Sequence, residues 1–221
     1  MNAKQAAAHK AVQYIKDGMI VGLGTGSTAY WAIQYLGEKV KQGMQITAVA
    51  TSDETERLAL QCGIKVGEMD AADHIDIDID GADEIDRRLN LIKGGGGALL
   101  REKIVAAGSK IFIVIADGSK MVEMLGQFPL PVEIIPFGWQ HTARRLALLG
   151  CQTTMRQKEA KSFITDNGNY ILDCHFGSIP DPAVLQQQIN NTPGVVENGL
   201  FVKMATRVVV GYSDGTVKEF S

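Results

Sequence analysis

The sequence predicts an α/β protein: a doubly wound, mainly parallel sheet carrying a smaller α+β domain near the C-terminus. Three observations predict it. Through the first half of the chain short apolar runs alternate with helical patterns, the mark of a parallel sheet. The run Ile111-Phe-Ile-Val-Ile-Ala116 is apolar at every position, as suits a strand covered on both faces. Beyond Phe128-Pro-Leu-Pro131 the order becomes β-α-β-β-α-β, the split βαβ arrangement.

Each element has a local reason. Residues 3–17 read as a helix, with Ala6, Ala7, Val12 and Ile15 inward and Gly18 as a stop. Residues 19–24 form a strand ending in glycines, 27–41 a helix and 46–50 a second strand. Thr51-Ser-Asp-Glu54 has capping-box spacing and opens a helix to about Cys62. Residues 64–66 and 74–80 are strands, and a helix after Gly97 leads into the strand 111–116. Then come a strand at 132–135, a helix at 139–149, strands at 151–156, 162–166 and 170–175, a helix at 182–190 and a strand at 195–201. Asp166-Asn-Gly-Asn169 supplies a hairpin turn. Residues 206–212 and 216–220 form a terminal hairpin that returns to the first sheet. The expected domains are a Rossmann-like catalytic domain, residues 1–127 plus 202–221, and a ferredoxin-like domain, residues 128–201.

Composition removes other classes. A chain of 221 residues with 45% hydrophobic and 21% charged residues is globular, and too long for one average domain. Lys and Arg number 22 against 25 Asp and Glu, a net charge of −3, which excludes a basic surface for nucleic acid but not a local site for a small anion. No run of 18 apolar residues is present to cross a membrane, and residues 1–10 lack the apolar core of a signal peptide. Cys62, Cys151 and Cys174 fall in no CxxC spacing and read as reduced thiols of a cytoplasmic protein. The four histidines form no metal-binding motif, so no metal is expected.

Four segments carry chemistry. Gly22-Leu-Gly-Thr-Gly-Ser-Thr28 joins a strand to a helix, so backbone N–H groups, a helix N-terminus and three hydroxyls converge on a phosphate-sized anion. Ser27 stands where the dinucleotide fingerprint needs its third glycine, which weakens a nicotinamide dehydrogenase reading. In residues 74–86 isoleucines alternate with aspartates; Asp76 and Asp78 read as a solvated strand face, whereas Asp80 and Asp83 lie where the strand runs out, the place ligands bind in open sheets. An EF-hand is excluded because Arg87 occupies the position of its bidentate acid. Gly94 to Gly97 read either as a flexible linker or, since a helix starts directly after them and Lys93 stands at their entrance, as a second backbone cradle with a cation beside it. Glu102, one turn into the next helix, either points back to that loop or pairs on the surface with Lys103 or Arg101. Lys120 follows the strand 111–116; taken alone it reads as a surface lysine, and with the other segments as a cation at the same edge. Together these segments suit proton transfer on a small anionic substrate.

Gly-Thr-Gly-Ser-Thr at 24–28, Asp-Gly-Ala-Asp-Glu at 80–84, Lys-Gly-Gly-Gly-Gly-Ala-Leu at 93–99, Arg-Glu-Lys at 101–103 and Phe-Pro-Leu-Pro-Val-Glu at 128–133 closely resemble the type A ribose-5-phosphate isomerases. The resemblance continues through Thr165-Asp-Asn-Gly-Asn169 and Pro193-Gly-Val-Val196 to the terminal hairpin. It implies interconversion of D-ribose 5-phosphate and D-ribulose 5-phosphate through an enediolate, in the non-oxidative pentose phosphate pathway, without metal or cofactor. It implies substrate contacts at Thr25, Gly26, Ser27 and Thr28, at Asp80, Gly81, Ala82 and Asp83, at Lys93, Gly94, Gly95 and Gly96, and at Lys120, with Glu102 as the catalytic proton acceptor. It also implies a homodimer or tetramer. The chemistry asks for such a set: one carboxylate to shuttle a proton, donors for the enediolate oxygen, and an acid or base, Asp80 with Asp83 orienting hydroxyls, to open the furanose. The alternative is a sugar-phosphate sensor without catalysis, which would keep the loop at 25–28 and need no base.

Overall fold

The computed structural model describes residues 1–221. In chain order the elements are α1 (Ala3–Val12), β1 (Ile20–Leu23), α2 (Ala29–Lys41), β2 (Thr47–Ala50), α3 (Asp53–Gln61), β3 (Lys65–Val66), β4 (Ile75–Gly81), β5 (Glu84–Ile85) and β6 (Leu91–Ile92). They continue with α4 (Leu99–Ala107), β7 (Ser109–Asp117), β8 (Leu130–Ile134), α5 (Trp139–Ala147), β9 (Gln152–Met155), β10 (Gln157–Lys158) and β11 (Lys161–Ser162). The last are β12 (Tyr170–His175), α6 (Pro182–Asn190), β13 (Val195–Asn198), β14 (Leu200–Phe201), β15 (Arg207–Gly211) and β16 (Val217–Phe220). The chain divides into two compact units, residues 1–82, 101–120 and 204–221, and residues 83–100 and 121–203.

The first unit is a seven-stranded sheet in the order β16-β15-β7-β4-β1-β2-β3. Every neighbouring pair is parallel except β15–β16, so the terminal hairpin returns to the first sheet as its sequence predicts. Ile77 and Ile79 of β4 and Ile113 and Ile115 of β7, with Val209 of β15, pack in one cluster with Ala7, Ala8 and Ala11 of α1 and with Ile33 and Leu36 of α2. α1 begins with a capping box between Asn2 and Gln5. It stops five residues short of the expected 17, because Gln13, Tyr14 and Ile15 donate to the carbonyls three residues back and tighten the chain out of the helix. Ser52 rather than Thr51 caps α3, accepting the N–H of Thr55; the Thr51 hydroxyl is turned to the carbonyl of Leu23.

Asp78 corrects the expectation of a solvated aspartate face, for it is fully buried. β4 is a central strand of a parallel sheet covered on both faces, and on the Asp78 side Val105 of α4 packs over its register partner Gly22, so alternation there does not mean one wet side. Asp76, at the start of the strand, is the more open one. It accepts from the Ile20 N–H and binds His74 and Lys110, and these bonds hold its carboxyl below the usual range.

The second unit contains a four-stranded antiparallel sheet in the order β13-β8-β12-β9, the ferredoxin-like arrangement, with α5 and α6 as its helices. Leu130, Val132, Ile134, Leu146, Leu172 and Ile189 are among its core side chains. The expected strand 162–166 is absent. Residues 161–162 instead close a two-residue hairpin with 157–158. From Thr165 to Asn169 the chain loops around the buried carboxylate of Glu133, which accepts from Thr165, Asn167 and Asn169. Side-chain hydrogen bonds of this kind outcompete a ladder. Residues 195–201 split into β13 and β14 at Gly199, and β14 pairs with β6, which also pairs with β5. That pairing gathers residues 83–100 into the second unit, together with the span 128–201.

Candidate active site

In the first unit the loops after β1, β4 and β7 leave one edge of the parallel sheet, the carboxyl edge where such sheets bind ligands. The first carries Thr25 to Thr28 and the last Lys120, while Asp80 and Gly81 end β4 and Ala82 follows them. The loop after β1 is fixed in three ways. Asp80 Oδ1 accepts the N–H groups of Thr25 at 3.1 Å and Gly81 at 2.7 Å. Gly24 stands against the Asp80 carboxyl so closely that any Cβ there would overlap it. The Thr25 hydroxyl donates to that of Ser52 at 2.8 Å and lies 2.8 Å from that of Thr51 and 3.1 Å from that of Thr55, and the Thr55 hydroxyl donates to the Gly24 carbonyl at 3.0 Å. Thr51, Ser52 and Thr55 are buried, so these hydroxyls hold the loop rather than face solvent.

Thr25 therefore has both its N–H and its hydroxyl engaged within the protein. Thr28 is the N-cap of α2, yet its side chain makes no cap bond; the N–H groups of Tyr30 and Trp31 turn to the carbonyls of Gly26 at 2.9 Å and Thr28 at 3.1 Å instead. Ser27 receives a 2.8 Å bond from Lys4 Nζ. Lys4 was not a sequence candidate: it is an ordinary lysine in the first turn of α1, and only the docking of α1 on the sheet brings it to this loop. Lys4 and Lys120 both act on Asp117. Burial pushes the Asp117 carboxyl up, but its bonds from Ser119 outweigh that and, with the two lysines, leave it below the usual range. A crevice of about 630 Å³ lined by Lys4, Asp117, Ser119 and Tyr212 opens there.

Glu102 lies in the first turn of α4 and is only 3% exposed, which removes the reading of an ordinary surface glutamate. Its neighbour Arg101 does reach the surface, where it donates to Asp53 Oδ1 at 2.7 Å.

In the second unit the glycine loop is equally constrained. Asp83 Oδ2 accepts the Gly95 N–H at 2.8 Å, and a Cβ on Gly95 would lie 2.6 Å from Asp83 Oδ1. Lys93 is buried, donates its N–H to the Gly199 carbonyl, and sets its ammonium 5.4 Å from the centroid of the Phe201 ring. Arg156 donates to the carbonyls of Gly94 at 2.7 Å and Gly95 at 3.2 Å. The rest of the acidic run serves the backbone: Glu84 accepts the N–H groups of Gly126 and Phe128, and Asp86 those of Arg88 and Asn90.

The sequence model of ribose 5-phosphate isomerase A (phosphoriboisomerase A) matches residues 47–215. The chain belongs to this family. The ribose-5-phosphate isomerase A of Bacillus mycoides is 52% identical over 221 residues, covering all of both chains. That of Parvibaculum lavamentivorans is 52% identical, covering 98% of each. Among solved structures, the ribose 5-phosphate isomerase A of Methanocaldococcus jannaschii superposes with a TM-score of 0.94 at 43% identity, covering 99% of this chain and 97% of that one. A D-ribose-5-phosphate isomerase in complex with phospho-erythronic acid superposes with a TM-score of 0.96 at 42% identity over the whole of both chains. As a ribose 5-phosphate isomerase A, the protein is an enzyme that interconverts ribose 5-phosphate and ribulose 5-phosphate. The sensor and dehydrogenase readings give way to it.

Proposed function

We propose that Glu102 is the base of this isomerisation and that the two glycine loops divide the charges of the substrate between them. The observation that carries this reading is the burial of Glu102 at the start of α4, a carboxylate held on a rigid helix five residues after Gly97. The phosphate is taken by the loop 25–28: the N–H groups and hydroxyls of Gly26, Ser27 and Thr28 bind it, Lys4 and Lys120 add charge, and Thr25 keeps the loop in shape. Asp80 transfers the proton between ring oxygen and anomeric hydroxyl that opens the furanose, and Gly81 and Ala82 line the sugar beside it. Asp83 orients substrate hydroxyls. Glu102 then removes the proton from C2 and returns it to C1 while the proton of the C2 hydroxyl passes to the C1 oxygen, the oxygen charge of the enediolate falling to Lys93 and the N–H groups of Gly94 to Gly96. No cofactor takes part in these steps.

Phospho-erythronic acid, the ligand of the related structure, supports this assignment, because its carboxylate places negative charge where an enediolate carries it. The same reading makes the protein a cytoplasmic homodimer, or a tetramer. Three buried free thiols suit a reducing compartment, and the exposed Phe137, Leu148 and Ile164 of the second unit offer apolar surface for self-association. Light scattering tests the association. For the mechanism the test is Glu102→Gln, assayed by coupled ribose 5-phosphate isomerisation with a chelator present. Turnover falls by about 10³-fold or more with substrate affinity retained. Near-normal turnover would remove Glu102 from the base role, and loss of wild-type activity in chelator would remove the metal-free mechanism.

A further inference from the structure

A glycine loop has no side chains to hold it open, so its hydrogen-bonding directions are set by whatever grips its carbonyls. In the second unit the Gly94 carbonyl takes the loop's own Gly97 N–H at 3.0 Å, and the grip from outside the loop, on the carbonyls of both Gly94 and Gly95, is Arg156, 62 residues beyond Gly94 in the chain. Its guanidinium is divided by edge. Nε and Nη2 bind the two oxygens of Asp173, a bidentate pair mostly out of solvent, with side-chain exposures of 13% and 20%. Nη1 is left for the Gly94 and Gly95 carbonyls. Asp173 sits in β12 and the Arg156 N–H bonds to the Ile171 carbonyl, so the anchor belongs to the four-stranded sheet rather than to the loop.

The consequence for the loop is directional. The C=O and N–H of a trans peptide point opposite ways. The Gly94–Gly95 peptide shows this: its carbonyl meets Arg156 and its N–H meets Asp83. The Gly95 carbonyl also goes to Arg156, so the N–H of Gly96 must point away from Arg156, to the side from which Asp83 approaches. The Gly95 N–H is already taken by Asp83, which leaves Gly96 as the aimed donor. We propose that Arg156, through its hold on the Gly94 and Gly95 carbonyls, is a positioning residue that aims the Gly96 N–H at the enediolate oxygen. This rests on the reading above that the glycine loop stabilises that oxygen.

The test uses the full-length enzyme carrying Arg156→Met, Arg156→Lys and Asp173→Asn, with Lys93→Met made in parallel and thermal melting recorded for each. The readouts are kcat, KM for ribose 5-phosphate, and the inhibition constant of phospho-erythronic acid. A donor aimed at the oxyanion acts mainly in the transition state, so R156M lowers kcat by about 10- to 100-fold and weakens the inhibitor in proportion, while KM moves less than about threefold. R156K recovers part of the loss, and D173N gives a smaller loss of the same pattern. A folded R156M with kcat and inhibitor affinity within twofold of wild type overturns the inference, as does a loss confined to KM. If R156M does not fold, R156K and D173N decide by the same two readouts. If K93M loses turnover while the Arg156 and Asp173 variants do not, only the positioning role fails; if none of them loses turnover, the assignment of the oxyanion to this loop fails with it.

Discussion

Replacing Thr55 by valine keeps the shape of a buried side chain and deletes one hydroxyl. That hydroxyl donates to the Gly24 carbonyl at 3.0 Å, lies 3.1 Å from the Thr25 hydroxyl and accepts from Ser52 at 3.1 Å. Thr55 is 3% exposed, so water does not replace the lost partners easily. At about 1 kcal/mol for each of the two net hydrogen bonds, to Gly24 and from Ser52, the substitution destabilises the first unit by about 2 kcal/mol. For a chain of this size that corresponds to a melting point lower by roughly 4–8 °C. The loosened segment is the one proposed to bind phosphate, which is held alike in ground and transition state, so KM rises severalfold and kcat changes little. Thr55→Ser keeps the hydroxyl and loses only a methyl, costing about 1 kcal/mol, with KM unchanged. Circular dichroism melts and the coupled isomerase assay measure both. A T55V enzyme melting within 1 °C of wild type, or T55S and T55V equally impaired in KM, would refute the view that the hydroxyl cluster shapes the loop.

Two further outcomes are expected. Gly95→Ala forces a Cβ to within 2.6 Å of Asp83 Oδ1, so the loop must shift; kcat drops at least tenfold while melting changes by no more than a few degrees, read by the same assay and melts. Glu219 is held below its ordinary value of 4.5 first by the Tyr14 hydroxyl, against some desolvation, with Arg207 and Lys10 adding to the shift. A depressed carboxylate stabilises the fold above its unfolded pKa and loses that contribution as pH falls through the folded value. Glu219→Gln therefore lowers stability at neutral pH, by less than about 1 kcal/mol because the group is largely solvated, and flattens the decline below pH about 4.5 in urea titrations across pH.

Much of this architecture is legible in one sequence because its signals are local. The run Ile111 to Ala116 names a strand by itself, buried from Phe112 onward with Ile111 left exposed, and glycines beside Ser27 and Thr28 suggest an anion loop. Local patterns mislead where burial is decided by neighbours. Asp78 alternates with isoleucines as a wet face would, yet its strand lies between β1 and β7. Residues 162–166 look extended, but Glu133, some thirty positions earlier, captures Thr165 and its neighbours. Lys4 and Arg156 give no local sign at all. Each reaches its glycine loop across 23 or 62 positions of chain, and only the topology shows it.

Three glycines stand against three aspartates: Gly22 against Asp78, its register partner, Gly24 against Asp80, and Gly95 against Asp83. Each pair is a single volume shared by two positions, with the carboxyl occupying the space that a side chain on the glycine would need. Anyone diversifying this scaffold should treat the six positions as three. A library that randomises a glycine while keeping its aspartate samples mostly collisions, and one that trims the aspartate alone leaves a gap. Simultaneous exchange, with the small residue moved to the other member of the pair, is the route along which such a loop can acquire a new shape.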